Sequence, residues 1–116
     1  MIYELRSYTV RQGKLRDFLL FYRDKAMPLG AEKLRGRGEP VGHWITKYRE
    51  VVDLDGEAKV VEEEEVTYML AFESREKREE FWEDFLGSEE WQRLMPEWLT
   101  LVRRMDNRLL EPTELP

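Results

Sequence analysis

The chain has 116 residues, 41% hydrophobic and 38% charged, with no Cys, one His and a net charge of −6 from 25 acidic and 19 basic side chains. That length suits one domain over residues 1–116 that folds on its own core, and the missing Cys and lone His exclude zinc ribbons, redox dithiols, Cys nucleophiles and His-rich metal sites, so no cofactor is expected. The acidic balance is the reverse of a nucleic-acid footprint, and neither a leader-like apolar start nor a membrane-length apolar run occurs; the expectation is a cytoplasmic protein without nucleic-acid or membrane partners.

Ile2 to Val10 is rich in β-branched and aromatic residues and ends at a turn signal, Gly13, which predicts the first strand. Within it Glu4, Arg6 and Tyr8 alternate and so share one face. On a central strand such a polar set must pair internally or line a wet cavity, because a lone buried charge costs several kcal/mol. The partners expected for Glu4 are Arg6, or Arg103 or Arg104 on the last strand.

Leu15, Phe18, Leu19, Tyr22 and Ala26 form the stripe of an amphipathic helix, expected to bend or stop near Pro28. Gly30 to Gly38 reads as a loop after at most one further turn containing Leu34, with a strand beginning by Val41. The Gly36-Arg37-Gly38 segment lacks the spacing and flanking elements of a phosphate loop.

Asp55-Gly56 lies between two β-like segments, Val41 to Leu54 and Glu57 to Phe72, and predicts a hairpin with a type I′ turn. In that register Val41 faces Leu70, His43 faces Tyr68 and Ile45 faces Val66. Further out Lys47 meets Glu64, Arg49 meets Glu62 and Val51 meets Val60, so residues 47–65 form an extended acidic arm. The Glu62 to Glu65 run alternates across the strand and reads as a solvated surface partly neutralised by Lys47 and Arg49 rather than as a metal site. Asp53 to Glu57 imitates the opening of a calcium loop without its remaining ligands.

Ser74 is the expected N-cap of a second helix whose apolar face is Phe81, Trp82, Phe85 and Leu86, closed by Gly87 at C′. Ser88 restarts a short helix over Glu89 to Leu94, Pro96 ends it, and Trp98 to Asn107 reads as the fourth strand before an irregular tail, 108–116. The order β-α-β-β-α-β is the ferredoxin-like pattern, an α+β fold with a four-stranded antiparallel sheet and helices on one face.

His43 is the one side chain with an ordinary proton affinity near neutrality, and Tyr68 stands opposite it, so the two are the candidate acid–base pair. Trp44 lies on the other face of the same strand. The sheet is therefore apolar on both sides, and helices on one side leave the second for a partner. The expected partner is a second copy burying more than ~2,000 Å².

The opening Ile2-Tyr3-Glu4-Leu5-Arg6-Ser7-Tyr8-Thr9-Val10 with Gly13-Lys14-Leu15 and Phe18, then Val41-Gly42-His43-Trp44, Phe72-Glu73-Ser74 before Arg78, and the closing Asn107-Arg108-Leu109-Leu110-Glu111-Pro112 together resemble the NIPSNAP family across nearly the whole chain. Between Lys47 and Val66 the family usually has a short link containing an Asn, where this chain has its acidic hairpin. The resemblance implies a dimeric α+β barrel, two ferredoxin-like subunits with their open sheet faces together, and carries no settled biochemical activity. Three functions follow: a homodimeric module binding a small molecule between sheet and helices, with Glu4, Arg6, Tyr8 and Trp44 as ligand contacts; a cofactor-independent monooxygenase- or isomerase-like enzyme using His43 and Tyr68; or an adaptor dimer contacting partners through its arm.

Overall fold

A computed structural model describes all residues 1–116. The elements in chain order are β1 (Ile2–Val10), α1 (Leu15–Phe21), a π-helical turn (Tyr22–Ala26), α2 (Met27–Leu34), β2 (Gly38–Thr46), β3 (Arg49–Val52), β4 (Ala58–Val61), β5 (Glu65–Phe72), α3 (Arg75–Gly87), α4 (Glu89–Leu101) and β6 (Val102–Leu110). The four long strands form one antiparallel sheet in the order β2-β5-β1-β6, and β3 and β4 form a separate two-stranded sheet. The fold is the ferredoxin-like α+β arrangement anticipated above.

Alternation decides what each face of the sheet carries. Glu4, Arg6 and Tyr8 on β1 stand beside Leu70, Tyr68 and Val66 on β5, all buried beneath the helices. Phe18, Phe21, Leu29, Phe81, Phe85 and Trp91 close over them to complete the core. On the reverse face, where no helix packs, lie Leu5, Ser7, Thr67, Met69 and Trp44. Trp44 remains 49% exposed, and its indole lies over Gly42, where a Cβ would meet the ring at 3.0 Å. The molecule is accordingly a slab, 45 × 45 × 19 Å, with a radius of gyration of 15.8 Å, against roughly 13 Å for a compact domain of this length.

The helical run expected to bend or stop near Pro28 leaves α-geometry for the π turn just before it and resumes as α2, whereas Pro96, expected to end a helix, sits inside one. Pro28 occupies the first turn of α2, where its missing N–H costs little; α2 includes the further turn containing Leu34, the loop is confined to residues 35–37, and β2 starts at Gly38. Pro96 lies well inside α4, where proline costs about 3 kcal/mol. The stripe Trp91, Leu94, Met95, Trp98 and Leu101, packed in or against the core, outweighs that cost. The last strand therefore begins at Val102 rather than Trp98. It extends to Leu110, three residues into the expected tail, because Arg108, Leu109 and Leu110 pair with Leu5, Glu4 and Tyr3. Ser74 caps α3 by accepting from the Lys77 N–H at 3.2 Å. Gly87 stays within α3 and Ser88 takes the junction, donating to the Phe85 carbonyl at 2.7 Å and accepting from the Trp91 N–H at 3.2 Å.

In the hairpin His43 pairs with Tyr68 and Ile45 with Val66, as the sequence predicts, while an irregularity between Pro40 and Gly42 puts Pro40 rather than Val41 opposite Leu70. The arm slips by one residue: Arg49 faces Val61 and Val51 faces Lys59. Residues 47–48 separate β2 from β3, whereas 62–64 separate β4 from β5, and the extra residue on the return strand makes the shift. The slip also moves the turn. The Gly56 N–H donates to the Asp53 carbonyl at 3.0 Å, and the Asp53 carboxylate accepts from the Asp55 N–H at 3.0 Å, so Gly56 ends a turn that the Asp53 side chain stabilises. Positive φ occurs only at Gly13 and Gly36, so the type I′ assignment fails. Glu63 forms ion pairs with Arg103 and, at 2.6 Å, with Arg104 on β6, and Glu65 lies 3.9 Å from Arg49 as expected, while Lys47 takes no part. No helix is long and apolar enough to cross a membrane.

Gly36 has φ +73° with open space around its missing Cβ, so Gly36→Ala is expected to destabilise the chain by about 1–2 kcal/mol through backbone strain alone. Gly56→Ala, free of that strain, should cost less. Urea unfolding of the two variants at one protein concentration checks the order.

Candidate functional site

β1 threads between β5 and β6, and its inward residues build the site floor. Glu4 is fully buried. Its Oε1 accepts from Trp82 Nε1 at 2.5 Å and Arg78 Nε at 3.3 Å, and its Oε2 accepts from Arg78 Nη2 at 2.8 Å and Arg6 Nη1 at 3.2 Å. Arg78 and Trp82 are one turn apart on α3, so a single helical face delivers both donors. Burial alone would raise the Glu4 carboxyl, but the hydrogen bonds from Arg78 and Trp82 and the charges of Arg6 and Arg78 outweigh it, and the net shift is downward. The sequence foresaw Arg6 as a partner but not Arg78, and Arg103 and Arg104 serve Glu63 instead.

Arg6 lies with its guanidinium carbon 3.9 Å from the Trp82 ring centre. Its Nε donates to the Tyr8 hydroxyl at 3.2 Å, and with the Asn107 amide turned toward it, Nη1 also donates to that side-chain oxygen at 3.2 Å. Nη2 reaches only the Met105 sulfur, at 3.7 Å. Burial disfavours the Arg6 charge, yet Tyr8, Tyr68 and Glu4 more than compensate, and the guanidinium is held firmly protonated. The Tyr8 and Tyr68 hydroxyls lie 2.8 Å apart. Burial, reinforced by neighbouring Tyr8, pushes the Tyr68 phenol well above its ordinary value, so it is a neutral hydrogen-bonding group.

Above this floor a cavity of about 300 Å³ opens between the sheet and the helices. Arg6, Tyr8, Tyr68 and His43 line it, with aromatic walls from Phe18, Trp82, Trp91 and Trp98. The inward face of α2 and the turn before it contribute Ala26, Gly30 and Ala31, which leave the space open. A Cβ on Gly30 would come no nearer than 4.0 Å to Phe85.

His43 is exposed at the rim on the edge strand β2, and no protein group hydrogen-bonds to its side chain. Its strand partner is Tyr68, but the side chains do not form an acid–base pair: Tyr68 bonds to Tyr8, and the Tyr22 ring stands between, 5.4 Å from His43 and 5.5 Å from Tyr68. Glu4 lies below the cavity and connects to it through Arg6 and Trp82. Trp44 projects from the reverse face of the sheet and does not line the cavity, because alternation separates it from His43. The residues that sequence reasoning passed over are Arg78, Tyr22 and Met105, and Trp82 read there only as core. Arg78 and Trp82 at i and i+4, with a buried Glu needing donors, were the available signal.

The sequence profile described as NIPSNAP matches residues 3–116. The chain belongs to the NIPSNAP family. A NIPSNAP family protein from Agrobacterium tumefaciens strain C58 superimposes with a TM-score of 0.75 at 25% identity, over 97% of this chain and 93% of the other. An uncharacterised NIPSNAP domain protein from Burkholderia xenovorans gives 0.73 at 19% identity, over 97% and 95%. A dimeric ferredoxin-like protein from an uncultured marine organism gives 0.60 at 14%, over 99% and 96%. No curated protein matches the sequence. The sheet order of this chain places the Glu4–Arg6–Tyr8 strand between β5 and β6, and the chemistry above it follows from this chain's own side chains.

Removing the Glu4 carboxylate leaves Arg6 buried without its counter-charge. Glu4→Ala is expected to cost about 3–5 kcal/mol, read from chemical denaturation. Because the folded carboxyl titrates below its unfolded value, the stability it contributes is present above about pH 5 and lost as pH falls through the folded value. The wild type should therefore lose stability more steeply than Glu4→Gln between about pH 5 and pH 3.

Proposed function

We propose that this NIPSNAP domain, residues 1–116, is a homodimeric module that binds a small, mainly apolar molecule between its sheet and helices. The observation that carries this reading is the cavity of about 300 Å³, aromatic and aliphatic on its walls with Arg6, Tyr8 and Tyr68 at its floor. That combination of apolar lining and a few convergent polar groups is the usual form of a ligand site. The lack of Cys and the acidic net charge favour a cytoplasmic setting without nucleic acid.

Dimerisation is supported by the uncovered sheet face, where half-exposed Trp44 and part-buried Leu5 and Met69 lie, and by the dimeric ferredoxin-like protein of similar fold. Pressing two such faces together closes each slab on its open side. Sedimentation at micromolar concentration is expected to give a dimer, and Trp44→Glu a monomeric or insoluble chain. A monomeric wild type sinks this part of the reading.

Exposed His43 at the rim, with both ring nitrogens free of protein partners, favours a catalytic variant of the same reading in which His43 exchanges a proton with the bound molecule. In that case His43→Ala abolishes turnover and preserves the dimer. In the binding case it only weakens the ligand.

Ala31→Phe fills the cavity from α2. It should abolish binding of the neutral fluorescent probe N-phenyl-1-naphthylamine, which the wild type takes up with quenching of emission from Trp82, Trp91 and Trp98. Absence of uptake by the wild type, or unchanged uptake by the variant, overturns the cavity reading.

A further inference from the structure

The cavity floor leaves two kinds of hydrogen-bond donor unsatisfied, a tyrosine O–H and a guanidinium N–H. Tyr8 and Tyr68 carry one hydroxyl proton each, and their mutual bond at 2.8 Å uses one. The Tyr8 oxygen also accepts from Arg6 Nε, and neither hydroxyl meets any other protein group. Whichever tyrosine donates to the other, one O–H proton is left without an acceptor. Beside it, Arg6 Nη2 has only the Met105 sulfur at 3.7 Å, a weak acceptor. Arg6, Tyr8 and Tyr68 are each 7% exposed, so bulk water does not serve these donors freely.

The charges point the same way. Glu4 is the only carboxylate in contact with Arg6 or Arg78, so two guanidinium groups surround one carboxylate and leave one positive charge in excess. An unmatched donor and an excess cation at the end of an apolar chamber suit a ligand head that only accepts hydrogen bonds and carries a negative charge.

We infer that the ligand class of this cavity is a small apolar monocarboxylic acid, its carboxylate on Arg6 Nη2 and the free hydroxyl of the Tyr8–Tyr68 pair, its hydrocarbon body among Phe18, Trp91 and Trp98. This inference rests on the cavity reading above and adds the head group to it. Met105 is displaced from Arg6 as the carboxylate arrives, and Glu4 stays in place to hold the guanidinium plane.

The test compares octanoate with octanamide, equal in size and chain and differing in charge, by tryptophan quenching and calorimetry at neutral pH below the micellar range. Octanoate is expected to bind at least tenfold more tightly. In the double variant Glu4→Gln/Arg6→Met, which removes the pair together, that preference should fall to about equal affinity. Equal affinity of both probes for the wild type, or a preference that survives in a folded double variant, overturns the head-group assignment and leaves the cavity reading standing. Failure of both probes, and of the neutral naphthylamine, to bind overturns the two together. Should the double variant not fold, the comparison on the wild type decides the matter alone.

Discussion

The buried carboxylate of Glu4 is the interaction on which the rest of the structure depends. An ionised carboxylate out of water costs several kcal/mol unless its lone pairs are occupied, and here Trp82, Arg78 and Arg6 occupy them. Two of those donors come from α3, so the charge ties that helix to the central strand at a fixed height. The third is the residue that forms the cavity floor. With Glu4 on one side and the Trp82 ring 3.9 Å away on its face, Arg6 has little freedom to turn, and its Nε can orient the Tyr8 hydroxyl. A structural ion pair and the cavity floor are thus one network, and an aliphatic residue at position 4 would undo both.

The second governing constraint is that both crossovers place their helices on one face. The sheet must then present inward a surface that contains charge and outward a surface that contains Trp44. Alternation along β1 sorts these without conflict: Glu4, Arg6 and Tyr8 inward, Leu5 and Ser7 outward. On the outward face Ser7 and Thr67 bond across strands at 2.9 Å, which gives that face a polar centre between Leu5, Met69 and Trp44. No helix covers that face, and Arg49, Asp106 and Arg108 border its centre, while Trp44 stays half exposed.

Much of this was legible because it depends on period and pairing. The alternation on β1, the stripe of α1, the Ser74 cap and the pairing of His43 with Tyr68 are local or nearly local, and the sequence states them. The errors share a different origin. Pro96 reads as a helix end because its local cost is large, and only the packing of Trp91, Trp98 and Leu101 tips the balance the other way. The arm's register turned on the difference between the 47–48 and 62–64 connections, which no pairing rule fixes in advance. At Gly56 the Asx turn from Asp53 competed with the type I′ turn and won. For the site, the strand showed that Glu4 needed partners but not that α3 would supply them, since that requires the helix's rotation about its axis.

The cavity follows from where this chain places its small side chains. A chamber of about 300 Å³ lined mainly by apolar side chains leaves part of the space between sheet and helices unpacked. The residues around it keep it open. Gly30 lies within a helix, where Ala would be about 1 kcal/mol better, and there is room for the Cβ. Ala31 and Ala26 line the same face, where larger side chains would fill the void. Just before α2 the helix widens into a π turn over Tyr22–Ala26, and the Tyr22 ring from that turn packs between His43 and Tyr68 at the chamber's side. A sequence selected for stability alone would have closed this space from α2. The small residues, the π turn and the unmatched donors all converge on the same volume, beside the aromatic packing of Phe81, Phe85 and Trp91.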